Sequence, residues 1–166
     1  MIIGQPGAGK TTFSLTLGKL LDLPTWHLDR MMWQADGSLL PLADRNARIA
    51  AVLANPGYVL EGGYAFSYAA RLAGCDTLIW LDMGLWRRFL RVLRRRMSGE
   101  PGQVLQAPRE ARRGAWPFWR MFWLEHPLQW VRLSRLVGRA RAQGRVQVIH
   151  LRGPTAVQRF LDGLQK

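Results

Sequence analysis

The sequence predicts an α/β fold in which a five-stranded parallel sheet is sandwiched between helices. Short apolar runs alternate with helix-sized segments along the 166 residues, and a glycine-rich segment separates the first run from the first helical stripe. Parallel neighbours need a crossover connection that is usually a helix, so this alternation is typical of a parallel sheet. The expected strands are Met1–Ile3, Thr25–Leu28, Tyr58–Leu60, Thr77–Leu81 and Val146–Leu151.

Apolar residues at helical spacing predict the elements between the strands. One stripe contains Phe13, Leu17, Leu20 and Leu21, a second contains Ile49, Val52 and Leu53, and a third contains Leu85, Phe89, Val92 and Leu93. Asp44 is a candidate N-cap for the helix that carries the second stripe.

The alternation of strand and helix patterns breaks after residue 97. Glycine and proline predict a loop over residues 98–113, which also carries Arg109, Arg112 and Arg113. The aromatic stretch from Trp116 to Val131 predicts an amphipathic helix that closes over the core, with a membrane-surface or partner-binding helix as the alternative. Charged residues interrupt this stretch and exclude a transmembrane span. We expect a single domain over residues 1–166, with an arginine-rich helical lid inserted at about 94–135.

Residues 4–11, Gly-Gln-Pro-Gly-Ala-Gly-Lys-Thr, follow the pattern G-x-x-x-x-G-K-[ST] between the first strand and the first helix. This is the context of a P-loop, whose backbone N–H groups and following helix N-terminus bind phosphate oxygens. Lys10 is expected to reach the β- and γ-phosphates of ATP, and the Thr11 hydroxyl is expected to bind Mg²⁺. The predicted nucleotide-binding residues of this segment are Gly4, Gln5, Pro6, Gly7, Ala8, Gly9, Lys10, Thr11 and Thr12. A chance glycine-rich turn is the alternative.

The net charge of +13 is concentrated in the C-terminal half. Residues 1–86 hold six Lys or Arg against seven Asp or Glu, whereas residues 87–166 hold eighteen against four. Of the 24 basic residues, 21 are Arg, which favours bidentate contact with phosphate or carboxylate. Nucleic-acid binding therefore stays open, although no helix-turn-helix, zinc-finger or aromatic RNA-binding signature accompanies the charge. The single cysteine, Cys75, and the lack of an apolar leader favour the cytoplasm.

Ligands of parallel α/β sheets bind at the carboxyl ends of the strands, so the residues after each apolar run are site candidates. Asp29 follows the second strand, where its carboxylate is expected to accept the proton of an attacking hydroxyl or to hold that hydroxyl in line. His27 either reaches Mg²⁺ through water or only packs and bonds to the backbone. Asp82, at the end of the fourth strand, either binds Mg²⁺ or caps the next helix, and capping is the favoured interpretation.

The third strand ends in Glu61-Gly62-Gly63-Tyr64. Paired glycines let a substrate approach the backbone closely, and Glu61 or Tyr64 can orient a phosphoryl acceptor; a plain strand-to-helix turn would use the same residues. On the helix after the fourth strand, Arg87, Arg91 and Arg94 or Arg95 share one face. Those nearest the P-loop are expected to contact the triphosphate, and the others to be solvated.

These features resemble the small-molecule P-loop kinases related to adenylate kinase and shikimate kinase. The chain resembles more closely the bacterial DNA topology modulation proteins, also described as flagellar-regulator-like proteins. The segments that carry this resemblance are GQPGAGKTT, HLDRMMW, VLEGGY, TLIWLD, RRFLRVLRRR and VIHLRGPTAVQRFL. The resemblance spans nearly the whole chain. Departures are Glu61, where these relatives usually carry Asp, Gly63, where they often carry Asn, and a shorter first strand.

The resemblance implies roles for individual residues. Asp29 would contact the acceptor, Gly62 and Gly63 would line the acceptor site, and Arg91 would stack on adenine. The loop from Arg152 to Thr155 would form the other wall of the adenine pocket. Arginines at 94–96 or 109–113 would close on the transferring phosphate, which makes Arg94 and Arg95 the candidate lid residues for catalysis.

The sequence therefore predicts ATP-dependent, Mg²⁺-assisted transfer of the γ-phosphate to a small hydroxyl- or phosphate-bearing acceptor, by a monomer or homodimer without membrane association. Predicted catalytic residues are Lys10, Asp29, Arg94 and Arg95; predicted acceptor-binding residues are His27, Asp29, Glu61, Gly62, Gly63 and Tyr64; predicted metal ligands are Thr11 and Asp82; Arg91 and Arg152 are assigned to the nucleotide. The alternatives are an ATP-binding regulator with nucleic-acid affinity and a degenerate ATP-binding protein without turnover.

Overall fold

The computed structural model describes residues 1–34, 36, 38–97 and 125–165, leaving aside the side chains at positions 95, 96, 125 and 126. Within these residues one sheet has the order β2-β3-β1-β4-β5, and all its neighbouring strands are parallel. The strands are β1 (Ile2–Gly4), β2 (Thr25–His27), β3 (Val59–Glu61), β4 (Thr77–Asp82) and β5 (Gln147–Arg152). The predicted α/β class with five parallel strands is confirmed.

Helices connect the strands. In the described residues they are α1 (Lys10–Leu21), α2 (Leu28–Met31), α3 (Leu42–Leu53), α4 (Tyr68–Ala73), α5 (Leu85–Met97), α6 (Glu125–Gln143) and α7 (Gly153–Gly163), with a 3-10 turn at Ala65–Ser67. The expected loop over 98–113 and the stretch Trp116 to Trp123 lie outside the described residues. The end of the expected aromatic helix, with Trp130 and Val131, belongs to α6.

Apolar cores lie on both faces of the sheet, because neighbouring residues of a strand point to opposite faces. One core contains Ile2, Ile79 and Leu81 of the sheet with Phe13 and Leu17 of α1 and Leu161 of α7. The other contains Ile3, Leu78 and Trp80 with Leu72 of α4 and Leu133, Val137 and Ala140 of α6. A further core joins α2 and α3 to β3 through Leu28, Met32, Ile49, Val52 and Leu60. The sheet is therefore covered by helices on both sides, as the alternating pattern predicts.

The strand order decides which loops meet at the functional edge. β1 lies between β3 and β4, with Ile2 opposite both Glu61 and Ile79. In the next pair His27 of β2 lies opposite Glu61 of β3. Because all these strands are parallel, the segments that follow β1, β2 and β3 leave the sheet at one edge.

Two predicted helix caps are wrong. α3 begins at Leu42 with Pro41 at the N-cap position, so Asp44 lies inside the first turn, where its charge still favours the helix dipole. α5 begins at Leu85, and the Arg88 N–H bonds to the Gly84 carbonyl at 3.2 Å. Asp82 therefore lies three residues before the helix, and its carboxylate contacts His150 of the neighbouring strand.

Candidate active site

The loop between β1 and α1 turns tightly. The Ala8 N–H donates to the Gln5 carbonyl at 3.1 Å, which closes the loop tightly. Gly7 has φ 78°, and a Cβ at this position would lie 2.7 Å from the Arg88 carbonyl oxygen. Only glycine satisfies both the left-handed conformation and the close packing against α5. The segment from Gly4 to Thr12 thus lies together at the N-terminus of α1, where a helix favours anions.

Two cationic side chains lie against this loop. Lys10 Nζ donates to the Gln5 carbonyl at 3.3 Å, and Arg91 Nη1 donates to the Gly7 carbonyl at 3.5 Å. Arg91 is exposed and reaches the loop from α5. The two charges add to the positive end of α1, so the loop presents a strongly favourable environment for phosphate.

Glu61 connects α1 with the end of β2. Its side chain is 2 % exposed, and its Oε1 accepts a hydrogen bond from the Thr11 hydroxyl at 3.2 Å and lies 2.8 Å from His27 Nδ1. The sequence assigned Thr11 to the metal and the other two residues to the acceptor, and the structure brings all three together. Hydroxyl and carboxylate oxygens are donors that suit Mg²⁺. Among the described residues, no group of three or more His, Cys, Asp or Glu side chains could hold a metal ion.

Asp29 lies in the first turn of α2, close to Lys10 and to the turn after β3. Burial has the largest effect on its carboxyl and raises the pKa; nearby Lys10 lowers the pKa and Glu61 raises it. The nearby Gly63 backbone N–H also lowers the pKa. A partly buried carboxyl with a raised pKa beside a P-loop lysine is suited to accept a proton.

Gly62 and Gly63, both predicted to line the acceptor site, differ in their surroundings. Gly62 is buried with φ 139°, and a Cβ there would lie 2.6 Å from the Leu28 Cβ. Gly63 is exposed, and a Cβ there would meet no atom within 4 Å. The next residue, Tyr64, is half-buried with the Arg45 guanidinium 5.4 Å from its ring centroid. The turn therefore has no room for a side chain at Gly62, whereas it has space for one at Gly63.

Sequence reasoning missed two buried arginines. Arg71 of α4 is 0 % exposed and Arg88 of α5 is 1 % exposed. Arg88 donates from Nε to the Met83 carbonyl at 2.9 Å and from Nη1 to the Pro6 carbonyl at 3.4 Å, which joins α5 to the P-loop. One signal was present for Arg88: it stands four residues before Val92, so it shares the apolar stripe of its helix.

Asp82 and Arg152 form a separate set of contacts at the ends of β4 and β5. Asp82 Oδ2 lies 3.0 Å from His150 Nε2 and 3.9 Å from Arg152 Nε. The His150 ring stacks on Trp80 with centroids 4.0 Å apart and planes 4° apart. The Thr11 hydroxyl, by contrast, contacts Glu61. Metal binding by Asp82 and nucleotide binding by Arg152 stay predictions.

The predicted lid residues are described only in part. Arg94 is exposed on α5, while the side chain of Arg95 and the whole of Arg109, Arg112 and Arg113 lie outside the described residues. The part of the chain that the structure describes contains no helix long and apolar enough to cross a membrane.

The parallel sheet and the glycine-rich loop after β1 define an α/β protein of the P-loop type. No family model matches the chain, and no curated protein matches it. Among solved structures, the chain is similar to a gluconokinase from Sinorhizobium meliloti 1021, with 13 % sequence identity and a TM-score of 0.44. That match covers 98 % of this chain and 93 % of the gluconokinase chain. Membership of the DNA topology modulation proteins stays a prediction.

Proposed function

We propose that this protein is an ATP-dependent phosphotransferase that acts on a small acceptor. The observation that carries the proposal is the meeting of two kinds of group at one sheet edge. The P-loop with Lys10 provides a cradle for a triphosphate, and Asp29 provides a proton acceptor close enough for Lys10 to lower its pKa. Phosphoryl transfer needs mainly such positioning and neutralisation of charge.

The nucleotide side of the site consists of backbone N–H groups and cations. In the proposed complex Lys10 leaves the Gln5 carbonyl and binds the β- and γ-phosphates, and Arg91 contacts the nucleotide from α5. Thr11 and Glu61 fit a Mg²⁺ ion, because the Glu61 carboxylate contacts the Thr11 hydroxyl, and Asp82 is a second candidate ligand. When bound, Mg²⁺ supplies neutralisation of the charge on the phosphate oxygens.

The acceptor side consists of Asp29 and the open turn at Gly63. The Asp29 carboxylate accepts the proton of the attacking hydroxyl or orients that hydroxyl, and its raised pKa brings it closer to the pKa that a base needs near neutral pH. Arg94 and Arg95, with Arg152 and Asp82, keep their predicted roles as part of this proposal. Closure by arginines would exclude water, so we expect weak ATP hydrolysis that the true acceptor replaces with transfer.

The test is phosphoryl transfer from γ-labelled MgATP to a panel of nucleosides, nucleotides, sugars and sugar acids. Turnover of at least one acceptor is expected, and Lys10→Ala should reduce it by about 10²- to 10³-fold, the usual effect of removing one donor to transition-state charge. Lys19→Ala is the matched control, because Lys19 is an exposed lysine in the last turn of the same helix.

Equal activity of wild type and Lys10→Ala would contradict the proposal. Salt-sensitive DNA binding without any turnover would favour the nucleotide-dependent regulator instead, because contacts to backbone phosphates weaken steeply as salt rises.

A further inference from the structure

His27 and Glu61 lie side by side at the ends of two neighbouring parallel strands. The backbones of β2 and β3 pair over three residues, the last of which are His27 and Glu61. The two side chains meet as well, because His27 Nδ1 lies 2.8 Å from Glu61 Oε1. A carboxylate has only acceptor oxygens, so Nδ1 is the protonated nitrogen that donates in this contact. Since the backbones already join the strands, the pairing of β2 with β3 does not depend on this side-chain bond.

The same carboxylate oxygen contacts the threonine of the P-loop. Glu61 Oε1 accepts a hydrogen bond from the Thr11 hydroxyl at 3.2 Å, so donors from α1 and from β2 meet at one atom. The side chains of His27 and Glu61 are 10 % and 2 % exposed, so little water competes for these bonds. A carboxylate is planar, and two donors on one oxygen therefore restrict the rotation of the whole group.

We infer that His27 is a positioning residue, which holds the Glu61 carboxylate in the orientation in which Glu61 and Thr11 would bind Mg²⁺. The inference rests on the proposed function, because this orientation matters only if the carboxylate binds the metal of a nucleotide complex. A free glutamate side chain samples many rotamers, and ordering it in advance lowers the cost of binding. The rival explanation is that the pair only fastens β2 to β3, which would change stability and leave metal binding unaffected.

The test measures ADP binding by isothermal titration calorimetry, with Mg²⁺ and with the metal removed by EDTA. Mg²⁺ should tighten ADP binding to the wild type. His27→Leu should weaken binding of MgADP by about 10-fold or more, the usual loss when a residue that orients a metal ligand is removed, and should leave the Kd of metal-free ADP unchanged. His27→Asn should keep most of the affinity for MgADP, because its amide nitrogen can replace Nδ1 as the donor. His27→Phe provides the same test should His27→Leu fail to fold.

A second histidine–carboxylate pair offers a matched control. His150 Nε2 lies 3.0 Å from Asp82 Oδ2, again between neighbouring parallel strands, and these side chains are 12 % and 19 % exposed. The Thr11 hydroxyl contacts Glu61, so His150→Leu should leave the affinity for MgADP unchanged. A loss of MgADP affinity in His150→Leu without a loss in His27→Leu would assign the metal to Asp82 and overturn the inference.

A double variant tests whether His27 acts through Glu61. Glu61→Met should abolish the effect of Mg²⁺ on ADP binding, and adding His27→Leu should bring no further loss, because both changes act on one metal ligand. A further loss overturns the inference, as do unchanged MgADP binding in His27→Leu, equal losses with and without Mg²⁺, and a wild type whose ADP binding Mg²⁺ does not improve. If the protein binds MgADP yet transfers phosphate to no acceptor, the proposed function fails, while these affinities still decide the inference.

Discussion

Among single residues, Asp29 shows most clearly that a chemical role can oppose stability. Burial raises its folded-state pKa above the ordinary carboxyl value of 3.8. Between these two pKa values the folded protein binds more protons than the unfolded chain, so the free energy of unfolding falls as pH rises through this range. Below 3.8 the carboxyl is protonated in both states and the effect disappears. At neutral pH the ionised carboxylate therefore makes the fold less stable than a neutral side chain would.

Asp29→Asn should accordingly raise the Tm at neutral pH while lowering phosphoryl transfer by about 10²- to 10⁴-fold, the usual contribution of a general base. Differential scanning fluorimetry over a pH series measures the first effect, and the gain in Tm should shrink as pH falls toward the ordinary carboxyl range. Asp36→Asn is the control of opposite sign, because backbone and side-chain hydrogen bonds from Ser38 lower the pKa of that exposed carboxyl. A lower Tm for Asp29→Asn at neutral pH would contradict the account.

The two glycines after β3 give a second residue-scale prediction. Gly62→Ala combines a strained positive φ with a Cβ contact of 2.6 Å to Leu28, so it should lower the free energy of unfolding by about 1–3 kcal/mol. Gly63→Ala points its methyl group into open space and should change that free energy by less than about 0.5 kcal/mol. Urea unfolding compares the variants directly. Equal losses would show that the turn is not fixed in the way described.

The sequence indicated much of this site, because Thr11, Asp29 and Glu61 stand directly after recognisable apolar runs or in a known motif. The contacts that these residues make were harder to predict from the sequence. That Thr11 contacts Glu61 depends on β3 lying beside β1, and chain order alone does not determine the order of strands in a sheet. The sequence does not reveal Arg71 for another reason: the only charged residue of a short helix looks solvated until the packing of α4 against the turn is known.

Among elements, α5 has the largest influence on the P-loop. Its Arg88 donates to Met83 and Pro6, and its backbone contacts Gly7 closely enough to require a glycine there. The helix thus supports the loop from the side of β4 as well as contacting it through Arg91. The shape of the loop depends on this tertiary support in addition to its own glycines.

Arg88→Leu should therefore lower the free energy of unfolding by about 1–3 kcal/mol, because buried carbonyls lose their donors. It should also weaken MgATP binding, measured by isothermal titration calorimetry. Arg87→Leu, one residue earlier and exposed, should change stability by less than about 0.5 kcal/mol. Similar losses in both variants would show that Arg88 does not support the loop.

Element types were predictable where apolar runs were bounded by turn residues, and all five strands fall where the runs predict them. Helix starts were harder. Asp44 and Asp82 both look like caps, yet the helix of Asp44 begins two residues earlier at Leu42, and the helix after Asp82 begins at Leu85. Capping preferences are local, whereas the contact between Asp82 and His150 comes from a strand 68 residues away.

The molecule as a whole combines a net charge of +13 with a loop that favours anions. A ligand that binds only the folded state stabilises it by an amount that grows with the logarithm of ligand concentration above its Kd, about 2.7 kcal/mol at a hundred times its Kd. Binding of MgATP should therefore be visible as a global effect, even without an acceptor.

MgATP should raise the Tm of the wild type, and the shift should be lost in Lys10→Ala but kept in Lys19→Ala. Repeating the thermal melts at rising salt separates binding at the loop from general attraction to the arginines. Salt screens the attraction between exposed charges, whereas a triphosphate bound in the loop is held also by backbone N–H groups. A shift that is equal in all three proteins would show that the P-loop is not where ATP binds.

The two buried arginines support different parts of the candidate site: Arg88 of α5 contacts the P-loop, and Arg71 of α4 contacts the turn after β3. On the proposed function, the acceptor side and the nucleotide side of the site can therefore change independently in evolution. Lineages that diverge around α2 and α4 could acquire new acceptors while inheriting unaltered use of ATP. The same separation gives protein engineers a natural boundary for mutant libraries.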